Sequence, residues 1–360
     1  MRENVKYYQE DNYAQLVRTV DLKKDFTNND FVYVDEFAYD FLWRVQLKEP
    51  NIVLPNIGAN IGEKYYVSPK DLPKEKNVLG PNAILLRSKC NDTHFVYFRL
   101  STSSYDNEMK KLVGASGQPK FNKTDLKKVR LFIPSLKEQK KISYFLGLLE
   151  ERIATQNKVI EDLKKLKCAI IEKLYAEVKG TKYFYRQLFN IINERNKQLE
   201  YSNVLSASQE KGMVSRDDLN LDIQFERSNI NTYKIVRNGD YVIHLRSFQG
   251  GFAFSEKTGV CSPAYTILRP NGLLVYGYLS NYFTSRDFVK SLIIVTYGIR
   301  DGRSINVDEW LNMKVIIPSK EQQTHIVNVI ESIENKIKNE ETYLNCLTNQ
   351  KQYLLRQMFI

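Results

Sequence analysis

Three histidines, four cysteines and two tryptophans are all that this 360-residue chain holds of those residue types, and the scarcity excludes a good deal. His94, His244 and His325 lie far apart, with no HExxH pair to hold zinc and no glycine-rich Walker loop to cradle phosphates. Cys90, Cys168, Cys261 and Cys346 are scattered without a CxxC pair, so neither a disulfide framework nor a thiolate metal site is expected. Reduced thiols in a cytoplasm are the expectation. No run of about 18 apolar residues occurs, and MRENVKYYQE carries no apolar signal core, so neither a membrane span nor secretion is expected. No cofactor is expected either.

Other signatures of chemistry are also wanting. There is no Asn/Asp-Pro-Pro-Tyr/Phe motif of the kind that holds a base amine for methylation. Nuclease-like triplets do occur at Asp21-Leu-Lys23, Asp125-Leu-Lys127 and Glu177-Val-Lys179, at the rate a chain this charged gives by chance. In Asn56-Ile-Gly-Ala-Asn-Ile-Gly62 the glycines are misplaced for a dinucleotide loop, and a tight turn is expected.

What the chain does have is positive charge and a repeat. Its net charge is +11, which makes a polyanion a plausible partner. The excess is shared: Lys and Arg outnumber Asp and Glu by 21 to 17 in residues 1–134 and by 17 to 13 in residues 181–318. At a shift of 184 residues, Ile133, Pro134, Ser135, Gln139 and Ile142 recur as Ile317, Pro318, Ser319, Gln323 and Ile326. Asn122 recurs as Asn306, Asp125 stands opposite Glu309, and Leu126 opposite Trp310.

Downstream of each Pro-Ser the apolar residues alternate by four and three. The first series runs Ile142, Leu146, Leu149, Ile153, Ile160, Leu163, Ile170, Leu174, broken at Gln156 and Lys167. Its echo runs from Ile326 to Met358, broken at Glu340 and Lys351. A mean spacing of 3.5 keeps one stripe against a partner helix, so two coiled-coil helices are expected, each about 60 Å long at 1.5 Å per residue. Antiparallel pairing centred near residues 156–158 places Lys167 near Glu331. Before each helix lie short β-like runs (Phe31-Val-Tyr-Val34, Ala83-Ile-Leu-Leu86, Tyr241-Val-Ile-His-Leu245, Tyr265-Thr-Ile-Leu268) and short helices (Tyr276 to Thr284, Asp287 to Ile294). The fold class is therefore α+β or α/β, a pseudo-two-fold internal repeat of globular unit (1–134), helix (135–180), globular unit (181–318) and helix (319–360).

This organisation resembles the specificity subunit of type I restriction–modification systems. The resemblance is carried by Ile133-Pro134…Glu138-Gln139 and Ile317-Pro318…Glu321-Gln322 at the junctions, and by Val53 to Lys64 and Gly239 to Arg246 inside the units. Glycine-bearing loops at Gly114 to Lys120 and Gly298 to Ser304 complete the set. It implies a non-catalytic scaffold with two target-recognition domains reading a bipartite double-stranded DNA site. Two methyltransferase subunits that bind S-adenosylmethionine, and restriction subunits, are the implied partners. Base edges and phosphates need Arg, Lys, Asn or Gln on such loops. The candidates are Asn60, Lys64, Gln118, Lys120 and Lys123 in the first unit and Arg246, Gln249, Arg300 and Arg303 in the second.

One departure is visible. The second unit opens on Tyr183-Phe-Tyr-Arg-Gln-Leu-Phe-Asn-Ile-Ile192, and nothing comparable precedes Tyr7-Tyr8. Against its own repeat the first unit is short by roughly ten to twenty residues, which would expose a sheet edge. Two other readings are an enzyme with an unfamiliar motif, distinguished by turnover of the isolated chain, and a DNA-bridging coiled coil, distinguished by binding indifferent to competitor sequence.

Overall fold

The computed structural model describes residues 5–57, 60–112, 120–208, 211–216, 227–244, 251–297 and 304–359. The chain divides into two compact units, Met1–Asn157 with Thr342–Ile360, and Lys158–Glu341. Each long helix contributes one half to each unit.

In the first unit, β1 (Ala14–Val17), α1 (Thr19–Lys23), β2 (Val32–Val34) and α2 (Glu36–Phe41) precede β3 (Asn51–Pro55), β4 (Tyr65–Val67), β5 (Asn77–Leu79) and β6 (Ala83–Leu86). Then come α3 (Thr93–Leu100), α4 (Ser103–Leu112), α5 (Lys123–Leu126) and the first long helix, α6 (Leu136–Ala176). One sheet has the order β2-β1-β5, with β1 and β5 parallel; another has the order β4-β3-β6 and is antiparallel. Strand β3 is buried on both faces, and its alternation sorts two cores. Ile52 and Leu54 pack with Phe95, Phe98, Leu146 and Leu355, while Val53 packs with Val17, Val67 and Leu79.

The second unit begins with β7 (Thr181–Phe184), β8 (Phe189–Ile192), β9 (Leu205–Ser208), β10 (Gly212–Ser215), β11 (Lys234–Val236) and β12 (Tyr241–Ile243). It continues with β13 (Phe252–Phe254), β14 (Gly259–Cys261), β15 (Thr266–Pro270), α7 (Tyr278–Tyr282), α8 (Arg286–Ser291), β16 (Thr296–Tyr297) and β17 (Ser304–Ile305). Helix α9 (Val307–Leu311), β18 (Lys314–Ile317) and the second long helix, α10 (Lys320–Met358), complete it. Its main sheet has the order β13-β12-β15-β8, and β7 pairs separately with β18. Strand β12 sorts its neighbours as β3 does. Tyr241 and Ile243 face an aromatic core containing Phe252, Phe283 and Trp310, and Val242 faces Leu205, Cys261 and Ile267.

The expected strands and helices lie where the β-like runs and short helices were read, and the long helices start at the Pro-Ser pairs. Ser135 and Ser319 cap them, each hydroxyl accepting from the backbone N–H three residues on, at 3.4 and 3.3 Å. Within the second unit the helices run antiparallel, since Lys164 meets Glu341 at 2.7 Å and Lys167 meets Glu334 at 2.6 Å. The Lys167 partner is thus Glu334, about one turn beyond the expected Glu331. Within the first unit Glu150 meets Lys351 at 2.5 Å, and Arg152 lies over the Tyr343 ring. Lys351 and Glu150 stand 184 residues from Lys167 and Glu334, so both lysines that break the apolar seam are paired in the same way.

Near the end of each helix the stripe turns by one residue: Ile171 and Leu355 are the buried ones, whereas the heptad reading has Ile170 and Leu354. A straight α-helix drifts against a 3.5-residue repeat, and here the ends pack on their globular units. All four cysteines are free, and burial pushes the Cys261 thiol up to about 12. No described helix is long and apolar enough to cross a membrane.

Candidate functional site

The repeated glutamine explains the junction motif. Gln139 is 2% exposed; its Oε1 accepts from the Asp92 N–H at 2.9 Å, and its Nε2 donates to Asn91 Oδ1 at 3.1 Å and to the Pro134 carbonyl at 2.8 Å. Gln323 is 1% exposed; its Oε1 accepts from the Val275 N–H at 2.8 Å, and its Nε2 donates to the carbonyls of Leu273 at 3.1 Å and Pro318 at 3.0 Å. A buried primary amide satisfied on both ends is a rigid clip. In each unit it ties the first turn of the long helix to the loop before α3 or α7.

The loops that the sequence marked sit on matching hairpins. In the first unit β3 and β4 pair through Val53 and Tyr65, and the stretch between them carries Asn60 and Lys64. In the second, β12 and β13 pair through Ile243 and Phe252. The other marked loop of the second unit is flanked by β16 and β17, which pair through Tyr297 and Ser304. Arg246, Gln249, Arg300 and Arg303 lie outside the described residues, as does Gln118.

Four of the marked side chains are described, all in the first unit. A bridge between Ile57 and Lys120 joins the hairpin to the segment carrying Lys120 and Lys123, with the Phe121 N–H donating to the Asn56 carbonyl and Asn56 Nδ2 donating to the Phe121 carbonyl, each at 3.2 Å. Both lysines are exposed, and Lys123 opens α5 behind the Asn122 cap. Asn60 and Lys64 are already engaged. Asn60 Oδ1 accepts from Lys23 Nζ at 3.1 Å, and Lys23 also pairs with Glu63 at 2.6 Å. Lys64, its side chain only 11% exposed, pairs with Asp106 and lies 5.5 Å from the Tyr105 ring centroid. Burial works to raise the Glu63 carboxyl, but hydrogen bonds from Lys23 and Tyr65 outweigh it and hold it below its ordinary range. Lys23, Gly62, Glu63, Lys64, Tyr65 and Ser101 line one shallow cleft.

Lys23, Asp106 and Tyr65 were not singled out as site residues. Lys23 entered the sequence reading only through the Asp21-Leu-Lys23 triplet, whose Asp21 is 0% exposed and held by Arg18 at 2.8 Å and by Asn28. That carboxylate is structural.

Comparison with known proteins places this architecture. Residues 7–165, just under half of the chain, match the model of the type I restriction modification DNA specificity domain. The chain is 27% identical over 131 residues to the type I restriction enzyme MjaVIII specificity subunit of Methanocaldococcus jannaschii, covering 36% of this chain and 29% of that protein. It is 33% identical over 101 residues to the putative MjaX specificity subunit of the same organism, covering 27% of this chain and 24% of that one. These matches span less than a third of either relative. Among solved structures, a chain from a study of assembly and conformational transition of the type I R-M system superposes with a TM-score of 0.56 at 14% identity, over 86% of this chain and 81% of that one. The S subunit from M. genitalium superposes at 0.50 and 15% identity, over 87% and 83%.

The fold is that of type I restriction–modification specificity subunits. Residues 7–165 match the specificity-domain family, and the whole chain shares the fold of those subunits.

Proposed function

We propose that the chain is a sequence-specific DNA-binding subunit that reads a bipartite target, one half-site per globular unit, and performs no chemistry itself. It acts in the cytoplasm as the scaffold on which two S-adenosylmethionine-binding methyltransferase subunits and the restriction subunits assemble. The observation that carries this reading is the duplication: the same glutamine clip and the same hairpin recur on two units, each tied to a long helix. Two copies of one reading unit in a single chain suit a target made of two half-sites.

In the first unit Lys120 and Lys123, exposed and uncommitted to a described carboxylate, hold phosphates. Asn60 is oriented by Lys23 toward a base edge, while Lys64 stiffens the hairpin through Asp106. Gln118 belongs with this group. Arg246, Gln249, Arg300 and Arg303 read the second half-site, where a guanidinium suits the O6 and N7 of guanine. The net charge of +11 supplies the attraction that does not depend on sequence.

The test is binding of the chain, assembled with its methyltransferase partner, to labelled duplexes under competition. The expected result is displacement by one gapped sequence and not by bulk DNA, with no methyl transfer or cleavage by the chain alone. Binding indifferent to competitor sequence would favour a bridging protein. Turnover in a partner-free preparation would favour an enzyme.

A further inference from the structure

Positive charge is concentrated in one short segment to a degree that the totals for the two globular units conceal. Residues 120–141, which lead from the first globular unit into its long helix, hold eight Lys and Arg against two acids, Asp125 and Glu138, a net +6 of the chain's +11. The segment 184 residues on, 304–325, holds Lys314 and Lys320 against Asp308, Glu309 and Glu321, a net −1 with His325 neutral. The duplication that repeats the glutamine clip does not repeat this charge.

All eight basic side chains are exposed. Lys128 pairs with Asp125 at 3.1 Å and Lys141 stands 3.9 Å from Glu138. Lys120, Lys123, Lys127, Arg130, Lys137 and Lys140 have no carboxylate partner among the described residues. On α6, Gln139, Ser143 and Leu146 are buried against the first unit, which turns Lys137, Lys140 and Lys141 onto one solvent face. Ahead of that helix, Lys123 opens α5 and Lys127 caps its far end, one turn on. Lys120 bridges to Ile57, so the cations continue from the hairpin that carries Asn60. Such placement works against the fold. Lysines in the first turns of a helix meet the positive end of its dipole, and like charges three and four residues apart repel. What exposed, unpaired cations do well is replace the counterions of a polyanion.

We infer that residues 120–141 form a phosphate-backbone track beside the first reading unit, and that the matching segment of the second unit, 304–325, supplies none. The inference rests on the proposal that the chain binds DNA, and deepens it. Lys127, Arg130, Lys137 and Lys140 join Lys120 and Lys123 as contacts that hold the duplex without reading its sequence. The two halves of the target are then held unequally: salt weakens the grip of 120–141, while 304–325 has little such grip to lose.

The experiment titrates the chain, assembled with its methyltransferase partner, with a labelled random-sequence duplex at salt from about 50 to about 200 mM. It compares the native chain, the triple variant Lys127→Gln/Lys137→Gln/Lys140→Gln, and the control Lys314→Gln/Lys320→Gln. Each lost phosphate contact lowers the slope of log affinity against log salt by about 0.9, so across this range the native chain is expected to lose about 40-fold more affinity than the triple variant. The control is expected to keep the native slope, and all three proteins to select the same base sequence. The triple variant removes no described ion pair, so its melting temperature should not fall. A native slope in the triple variant overturns the inference and leaves the bipartite reading standing. An equal fall in variant and control overturns it too, because the attraction would then be general. Loss of methyltransferase binding by the folded triple variant also overturns it, and would make the patch a docking surface for an acidic protein face. A native complex without a gapped preference defeats the bipartite reading instead, and the slopes still decide whether the track exists.

Discussion

The two units share a glutamine clip and differ in how they partner one repeated arginine. Both use a buried glutamine to clip the long helix to the globular body, and both pair a lysine of one long helix with a glutamate of the other, Lys351 with Glu150 and Lys167 with Glu334. They part where a buried arginine partner is concerned. In the second unit Arg269 makes two hydrogen bonds of 2.9 Å to Asp240, a carboxylate 2% exposed. In the first, the corresponding Arg87 meets neutral Asn51 at 3.1 Å, donates to the carbonyls of Arg44 and Gln46, and has as its one described carboxylate partner Glu49, 3.2 Å away and 63% exposed. One geometry is thus met with a buried charge in one unit and without it in the other. At this position the second unit has more to lose, because its carboxylate is buried.

That contrast can be broken most sharply at the arginines. Arg269→Met leaves the Asp240 carboxylate buried without its cation, an expected loss of about 3–5 kcal/mol. Arg87→Met strands neutral acceptors and the exposed carboxylate of Glu49, which water can solvate, for about 1–3 kcal/mol. Denaturant unfolding with hydrogen exchange resolved by unit checks the difference, and equal losses would remove the distinction between the units.

Next come the clips. Gln323→Leu leaves a backbone N–H and two carbonyls without their partner, Gln139→Leu a backbone N–H, a carbonyl and the Asn91 amide oxygen, and each is expected to cost about 1–3 kcal/mol by the same measurement. The repetition of the clip predicts similar losses in the two units.

A smaller effect separates the two lysine–glutamate pairs. Burial pushes the Glu150 carboxyl upward, but His94, 3.6 Å away, and Lys351 outweigh it and hold the group below its ordinary 4.5. A carboxyl lowered in the folded state stabilises at pH above its unfolded value and loses that contribution as acid carries the pH down through the folded value. First-unit stability should therefore fall on acidification below pH 4.5. Lys351→Met should shrink that fall and cost about 1 kcal/mol at neutral pH. Lys167→Met, whose partner Glu334 is 43% exposed, should cost less than about 0.5 kcal/mol. Smallest of all is Lys164→Met, because both Lys164 and Glu341 are largely exposed; no more than a few tenths of a kcal/mol, about the error of a melting curve, is expected.

Much of the scaffold was legible in the sequence because it is written twice. Ser135 and Ser319 announce helix starts through local chemistry, and β6 spans the same residues as the run Ala83 to Leu86. What stayed hidden depends on residues distant in the chain. Gln139 was visible as a repeated letter, but its role rests on Asp92, 47 positions away. Lys64 read as a free loop cation, and its partner Asp106 lies 42 positions on; Asn60 is held by Lys23 across 37. Lys167 found Glu334 one turn beyond Glu331 because register follows the packing of the helix pair, which spacing along one helix does not contain.

The central claim, that each unit reads its own half of a gapped site, is tested most directly by selecting duplexes from a random library with the assembled complex and repeating the selection with Asn60→Ala. The account predicts a motif of two fixed halves around an unread gap, with discrimination relaxed at a position in one half and the other half unchanged. A contiguous motif, or a change in both halves from this single substitution, would contradict it.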